Sequence, residues 1–419
     1  MSMPATSASA RRKGAIVFGG AHGSLEIARS LGRRNIPVWL ITADNPLATL
    51  SRYVERSLFW GGPRQEGSVA FLIDLARRHG LGGWLLFAGG DEDVRFIAHN
   101  HSALGAVFDL TTPQWNTIQW AYDKRNMNMR AAELGIAHPS TYYPRTREEL
   151  AKRELRFPVV LKPTIHEGRN AFDNAKVWRA DDRDTLLARY EKAASMVGPD
   201  RIMVQDLIPG DGRTQFSYAA VWDRGAPVGS LVARRRRQYP VEFGYTSTFV
   251  ETTELPEVED AACRFLRSID YSGLVEIEFK FDARDGRFKI LDVNARAWAW
   301  IALGAAAGLD FPALQWRLAQ GERIAPMSAR SGVHWLYFSR DLVASGREMI
   351  AGTLSPAEYL RSWRRSDAGA VFCWDDPIPA IFDLPLVLAR VARRRLFRSD
   401  RHAVPARQRA GLAADEAKT

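Results

Sequence analysis

Two cysteines in 419 residues, Cys263 and Cys373, stand far apart with no CxxC spacing. That number excludes a disulfide framework, and small buried thiols in a reducing compartment are the expectation. Glycine (32 residues) and proline (21) stay below the density that marks a low-complexity chain. The longest uncharged stretch of note, Ala297 to Leu309, falls short of the roughly 18 to 20 residues of a spanning helix, which excludes a transmembrane segment. Arg11, Arg12 and Lys13 precede an apolar stretch that ends at Phe18. This is too short for an export signal, and a cytoplasmic protein is expected. A basic binding face is missing too. The net charge is +10, but residues from Leu386 onward hold nine basic against three acidic side chains, and the first thirteen residues hold three basic ones. The body between the tails is close to neutral, so no nucleic-acid partner is expected.

What is present is a chain of ordinary globular composition, 46% apolar and 25% charged, long enough for two or three domains. Ala15 to Phe18, Val38 to Ile41 and Trp84 to Phe87 read as buried strands alternating with amphipathic helices. That pattern predicts a parallel sheet covered on both faces, a small Rossmann-like domain over residues 14–110. The turn Gly19 to Ser24 is either a phosphate-binding loop at a helix N-terminus or a tight turn that needs glycine; it does not complete GxGxxG, and Asp44 is the only acid placed for a ribose. In Gly89-Gly-Asp-Glu-Asp93 the acids read as caps of the following helix. From Thr111 the helices lengthen and further strands follow, to about residue 330. Residues 331–385 are tryptophan-rich and end in a segment read as extended, Pro377 to Pro385. Residues 1–13 and 386–419 read as basic tails, the latter beginning as a helix.

Chemistry is concentrated in three passages. Between Gly273 and Arg296, Val275, Ile277, Phe279 and Phe281 alternate with Glu276, Glu278, Lys280 and Asp282, the pattern of a strand with one apolar and one charged face. A hairpin centred near Asp285 places Glu278 opposite Asp292, with Asn294 on the same face. Two carboxylates and an amide oxygen form a hard-oxygen set suited to a divalent cation bridging phosphates; an ordinary solvated hairpin is the alternative. The second passage, Phe157-Pro-Val-Val-Leu-Lys162-Pro163, ends an apolar strand on a lysine that either snorkels outward or aims at an anion; the loop after it carries His166 and Arg169. The third, Ile202 to Asp211, leads through Gln205 and Ile208 into a Pro-Gly turn followed by an acid.

In this order the passages resemble the ATP-grasp superfamily over roughly residues 14 to 325, and most closely its carboxylate–amine ligases related to D-aspartate ligase and carbamoyl phosphate synthase. The resemblance implies a mixed α/β and α+β fold. It has an N-terminal Rossmann-like pre-ATP-grasp domain, a two-lobed ATP-grasp fold over residues 111–330 and a small C-terminal extension over 331–385. It also implies roles. Lys124 and Lys162 would contact ATP phosphates, Gln205 and Ile208 would form the adenine hinge, and Asp211 would hold the ribose. Glu278, Asp292 and Asn294 would hold Mg2+ or Mn2+, and Arg296 would steady the transferred phosphate or the substrate carboxylate. Gln205 and Asp292 stand where glutamate is commoner, and Asn294-Ala-Arg296 replaces Asn-Pro-Arg. The implied reaction forms an acyl phosphate from ATP and a carboxylate, which an amine then attacks.

Other features leave alternatives open. In Val232 to Tyr239 four consecutive arginines alternate faces if extended, so that Arg235 with Arg237, or Arg234 with Arg236, would face the cleft and bind an acidic substrate; a solvated edge strand is the alternative. Arg235 joins Arg296 and Lys162 as a candidate catalytic residue. Ala297-Trp-Ala-Trp300 reads as core or as substrate lining. His99 and His101 read as surface histidines. The helix around Leu384 to Arg398 either docks on the protein or makes peripheral contact with the inner face of the membrane. Small carboxylates and amines are the expected partners, with a homo-oligomer as a further expectation. Two other classes compete: a nicotinamide-dependent oxidoreductase using the first domain, and a non-catalytic ATP-binding scaffold.

Overall fold

The computed structural model describes residues 13–399 apart from Asp44, 166–169, Lys176 and 240–245; the side chains of Asn174 and 390–399 also lie outside the description. His166, Arg169 and Asp44 therefore lie outside the described residues. The first layer contains β1 (Ala15–Phe18), α1 (His22–Gly32), β2 (Val38–Thr42), β3 (Arg56–Phe59), α2 (Ser68–His79), β4 (Leu85–Phe87), α3 (Asp91–His99), α4 (His101–Gly105) and β5 (Asp109–Leu110). Its strands run parallel in the order β3-β2-β1-β4-β5. Every residue of β1 is fully buried because both faces of a parallel sheet are covered. The glycines of the first turn and of the turn after β4 admit protein rather than ligand. A Cβ on Gly20 would stand 1.8 Å from the Asn45 carbonyl oxygen, and one on Gly89 would stand 1.9 Å from that of Phe18. The tight-turn reading holds here, and the nicotinamide reading loses its motif.

Two helices, α5 (Trp115–Tyr122) and α6 (Lys124–Glu133), lead into a small lobe. It comprises β6 (Thr141–Tyr142), α7 (Arg147–Lys152), β7 (Val159–Pro163), α8 (Ala171–Ala175), β8 (Trp178–Ala180), α9 (Arg183–Val197) and β9 (Ile202–Asp206), with antiparallel strand order β6-β9-β7-β8. Alternation divides its strands. Val159, Leu161, Ile202 and Val204 join Leu186 and Tyr190 in a core confined to this lobe, whereas Lys162 and Gln205 take the other face.

The third layer is an eight-stranded sheet among the described residues. Its elements are β10 (Gln215–Asp223), β11 (Ala226–Tyr239), β12 (Thr246–Thr253), α10 (Pro256–Ser268), β13 (Gly273–Asp282), β14 (Arg287–Asn294), α11 (Ala302–Ala306), α12 (Phe311–Ala319), β15 (Met327–Ser328) and β16 (His334–Leu336). After α13 (Phe338–Ile350) and α14 (Pro356–Arg364), β17 (Ala368–Gly369) completes the order β14-β13-β10-β11-β12-β16-β17, with β15 beside β11. The tryptophan-rich extension is thus part of this sheet. One face, with Tyr218, Val275, Ile277 and Phe279, shares a core with Ile16 and Phe18 of the first sheet. The other face begins as core, where Ala219, Val221, Ala233 and Val250 meet Trp298 and Trp300, and turns charged toward the cleft. Trp298 and Trp300 are core residues, at 2% and 3% exposure.

The segment expected to be extended, Pro377 to Pro385, is instead the first part of a helix, α15 (Ile378–Ser399). Pro379 falls in the first turn, where the missing N–H has no partner to lose, and Pro385 sits inside the helix, which continues past it without that one backbone hydrogen bond. Both cysteines are free; Cys263 is buried, but Cys373 is only half-buried.

Candidate functional site

The metal-type trio stands on two paired strands. Glu278 of β13 faces Asp292 of β14 in register, and Asn294 faces Glu276. The register shifts between Glu278 and Phe279, beyond the trio, so the inner pairing keeps the expected spacing while Phe279 meets Ile290. The apolar sides of the same strands explain why the carboxylates are held: Val275, Ile277, Phe279 and Ile290 are fully buried behind them. Each polar group already has company. Lys124, at the start of α6, donates to Asp292 Oδ1. Asn294 donates to Glu276 Oε2 at 3.2 Å, and Glu278 lies 3.6 Å from Arg235.

Glu276 is a site residue the sequence reading passed over, although the same register rule places it beside Asn294. It is buried, its Oε1 has no hydrogen bond of good geometry, and burial and the neighbouring Glu278 push its pKa up to about 7. Among the described residues no three His, Cys, Asp or Glu side chains converge as a metal cage. Two carboxylates and an amide make an open set, the kind that binds a hard cation only together with ligand oxygens.

Across the cleft, Lys162 of β7 donates to Gln205 Oε1 of β9 at 2.9 Å, and Gln205 donates onward to Thr141 Oγ1 at 2.9 Å. Burial lowers the Lys162 pKa to about 8, Lys124 pushes the same way, and Asp292 and Glu278 act against both. The lysine is therefore turned into the cleft and does not snorkel outward. Ile208 is buried just beyond the strand. Asp211 stands apart from this group: exposed, it caps its own turn by accepting from the Arg213 N–H at 2.8 Å. Arg213 in turn donates to the Thr353 carbonyl at 3.3 Å, so the extension reaches the hinge.

The arginines do not enter the cleft as a pair. The register of β11 against β12 slips on both sides of Arg237, with Arg236 left unpaired. A bulge adds one residue and flips the alternation, so Arg235 and Arg237 point to opposite faces. Arg235 turns into the cleft, donating to Gln215 at 2.5 Å and Gln238 at 3.2 Å. Arg237 turns away, making a bidentate pair with the buried Asp341 of α13 at 2.9 and 2.7 Å. Arg234 and Arg236 are half-exposed, and Arg236 pairs with Glu251 at 2.7 Å.

Arg296 is held by the first domain. Its Nε and Nη2 donate to the Asp91 carboxylate at 2.7 and 3.3 Å, and Nη2 also reaches Asn294 Oδ1 at 3.3 Å. Burial opposes its charge, but Asp91, Glu276 and Asp292 more than offset that and raise its pKa. Asp91 is thus no mere helix cap, and Asp93 accepts from the Gly89 N–H. A cavity of about 30 Å³, room for a water, lies between Asp91, Tyr122, Lys124, Asp292 and Asn294.

Comparison with known proteins bears on the fold that carries these residues. Residues 229–327 match the family described as carbamoyl-phosphate synthase L chain, ATP binding domain. A D-aspartate ligase from Enterococcus faecium is 24% identical over 230 residues, 51% of this chain. The match spans only about half, 53%, of that enzyme. Solved structures with the same fold include an L-amino acid ligase from Bacillus licheniformis, at TM-score 0.57, 15% identity and 74% of each chain. They also include the biotin carboxylase domain of Hydrogenobacter thermophilus 2-oxoglutarate carboxylase, solved with MgADP, ADP and bicarbonate, at TM-score 0.60 and 15% identity over 76% of this chain and 72% of that one.

The fold is ATP-grasp. The resemblance to carboxylate–amine ligases drawn from the motifs stands with it. Within this ATP-grasp fold Lys124, Lys162, Gln205, Arg235, Glu278, Asp292, Asn294 and Arg296 gather around one cleft, with Ile208 at its hinge and Asp211 at a separate turn. Asp91 gave no sequence signal as a cleft residue, because its partner lies 205 positions away. Gln215 and Gln238 gave none because only the bulge turns Gln238 to the face of Arg235.

Proposed function

We propose that this chain is an ATP-dependent carboxylate–amine ligase that forms an amide through an acyl phosphate, releasing ADP and phosphate. The observation that carries the reading is the meeting of two lysines from outside the large sheet with the oxygen trio of that sheet: Lys124 on Asp292, and Lys162 within electrostatic reach of both Asp292 and Glu278.

The chemistry follows from charge. A substrate carboxylate oxygen attacks the γ-phosphorus of ATP, the bond to the β-phosphate oxygen breaks, and ADP leaves with the electron pair. The amine nitrogen then attacks the acyl carbon and expels phosphate, losing its proton. Negative oxygens crowd together in the first step, so catalysis is mostly positioning and neutralisation. Lys162 and Lys124 neutralise phosphate oxygens. Gln205 and Ile208 line the adenine hinge, and Asp211, on the turn beyond it, takes the ribose by giving up the cap it makes to the Arg213 N–H. Arg235 orients the acid, and Arg296 balances the transferred phosphate or the carboxylate. The hard oxygens of Glu278, Asp292 and Asn294 fit Mg2+, which when bound supplies charge neutralisation of phosphate oxygens. No side chain serves as covalent nucleophile.

The test is ADP release from Mg-ATP with a panel of amino acids and small dicarboxylates, with and without amines. Release that depends on both acid and amine supports the ligase. Nucleotide binding without turnover across the panel would leave the ATP-binding scaffold as the better reading.

A further inference from the structure

The C-terminal helix is built inside out. Along Ile378 to Ala389 the helical period of 3.6 divides the residues into two faces. The inward face carries Pro379, Ala380, Asp383, Leu386 and Val387, all buried or half-buried. Asp383, the one charged residue of this stretch, is the buried one, and it accepts hydrogen bonds from Tyr337 at 3.2 Å and Ser339 at 2.6 Å. The outward face has no charged or hydrogen-bonding side chain at all. Ile378, Ile381, Phe382, Leu384 and Leu388 are 47%, 67%, 47%, 52% and 60% exposed. Just before the helix, Trp374 is 89% exposed and packs edge-on against Phe372, also exposed. A helix that merely rested on its protein would show the reverse pattern.

The arrangement is fixed rather than frayed. Between Trp374 and the helix, Asp376 is 1% exposed and accepts from Arg29 Nε at 2.9 Å, Ser51 Oγ at 2.7 Å and the Arg52 N–H at 3.0 Å. Asp375 accepts from Arg33 at 2.8 Å and Tyr53 at 2.7 Å, and Arg33 holds its carboxyl well below the usual range. Three aspartates therefore clamp the segment to the body at both its start and its middle, and present the apolar face outward.

The sequence says what would cover that face. Directly after Ala389 come Arg390, Arg393, Arg394, Arg395 and Arg398 within nine residues. An apolar stripe with an exposed tryptophan, followed by a run of arginines, matches a bilayer interface: acyl chains take the stripe, the headgroup layer takes the tryptophan, and anionic phosphates take the arginines. No helix among the described residues is long and apolar enough to cross a membrane. We propose that Phe372 to Leu388 is a docking surface by which this protein lies on an anionic lipid bilayer, the arginines that follow it in the sequence supplying the attraction to anionic headgroups.

Flotation of the full chain with vesicles decides this. Vesicles of phosphatidylcholine containing about one-third phosphatidylglycerol should carry the protein, and pure phosphatidylcholine vesicles should carry far less. Raising salt to about 0.5 M should release much of it by screening the arginines. Ile381→Glu with Leu388→Glu should cut the bound fraction more than about tenfold, with ATP turnover in solution and the unfolding midpoint unchanged. Equal flotation of this variant and the parent chain would overturn the proposal. So would no flotation of the parent chain at all. A concentration-dependent dimer lost in the variant, without vesicle binding by either, would assign the face to a second copy instead.

Discussion

The two walls of the cleft hold their charges by opposite means. On the small lobe, Lys162 is half-buried against a neutral amide, Gln205, and loss of solvation lowers its pKa to about 8. On the large sheet nearly every charge meets an opposite one: Asp292 with Lys124, Glu278 with Arg235, and Arg296 with Asp91. The small lobe also packs on its own core, whereas both faces of the large sheet share cores with the first domain. A self-contained lobe carrying an under-compensated cation gains the most when a polyanion arrives. A sheet of satisfied ion pairs is pre-organised but must exchange partners to take a ligand. Nucleotide binding should therefore be governed by the first wall, and chemistry by the second.

The largest effect falls on the second wall. Asp292→Asn should lower metal-dependent ADP release about a thousandfold while circular dichroism and the melting curve stay near those of the parent chain. Retained activity in this variant would remove Asp292 from the metal site and end the contrast. Lys162→Met should weaken ATP binding about a hundredfold, close to 3 kcal/mol, measured by calorimetry. Because it deletes a charge that burial disfavours, it should also melt no lower than the parent chain. Unchanged nucleotide affinity would count against the phosphate role.

A smaller effect separates the two walls cleanly. Asp91→Asn should reduce kcat about tenfold by loosening Arg296, leave the Kd for ATP unaltered, and be restored in part by Asp91→Glu. Equal losses in ATP affinity and kcat would mean that Asp91 holds the fold and not the guanidinium. The smallest effect is one of pH. Lys162 is charged below about 8 and neutral above it, so ATP affinity should fall about fourfold between pH 7 and 8.5. In the Lys162→Met variant this decline should vanish; its persistence would place the titrating group elsewhere.

Local pattern determined a good deal of this protein. Unbroken apolar runs in β1, β2 and β4 can only be buried on both faces, so the parallel sheet was legible from the first hundred residues. Strict alternation in Gly273 to Asp282, with a turn after it, is enough to set Glu278 against Asp292, because period and register are properties of two neighbouring strands. The same reading failed where one extra residue mattered. At Arg236 nothing in four successive arginines says which one is left unpaired; the pull of the buried Asp341 on Arg237 and of Gln215 on Arg235 decides it. It failed again at Asp91, whose partner is 205 residues away, and at the start of α15, whose prolines suggested an extended segment. Those outcomes rest on contacts between segments remote in sequence, and only the summed packing and charge pairing of the tertiary structure selects among the alternatives that local pattern leaves open.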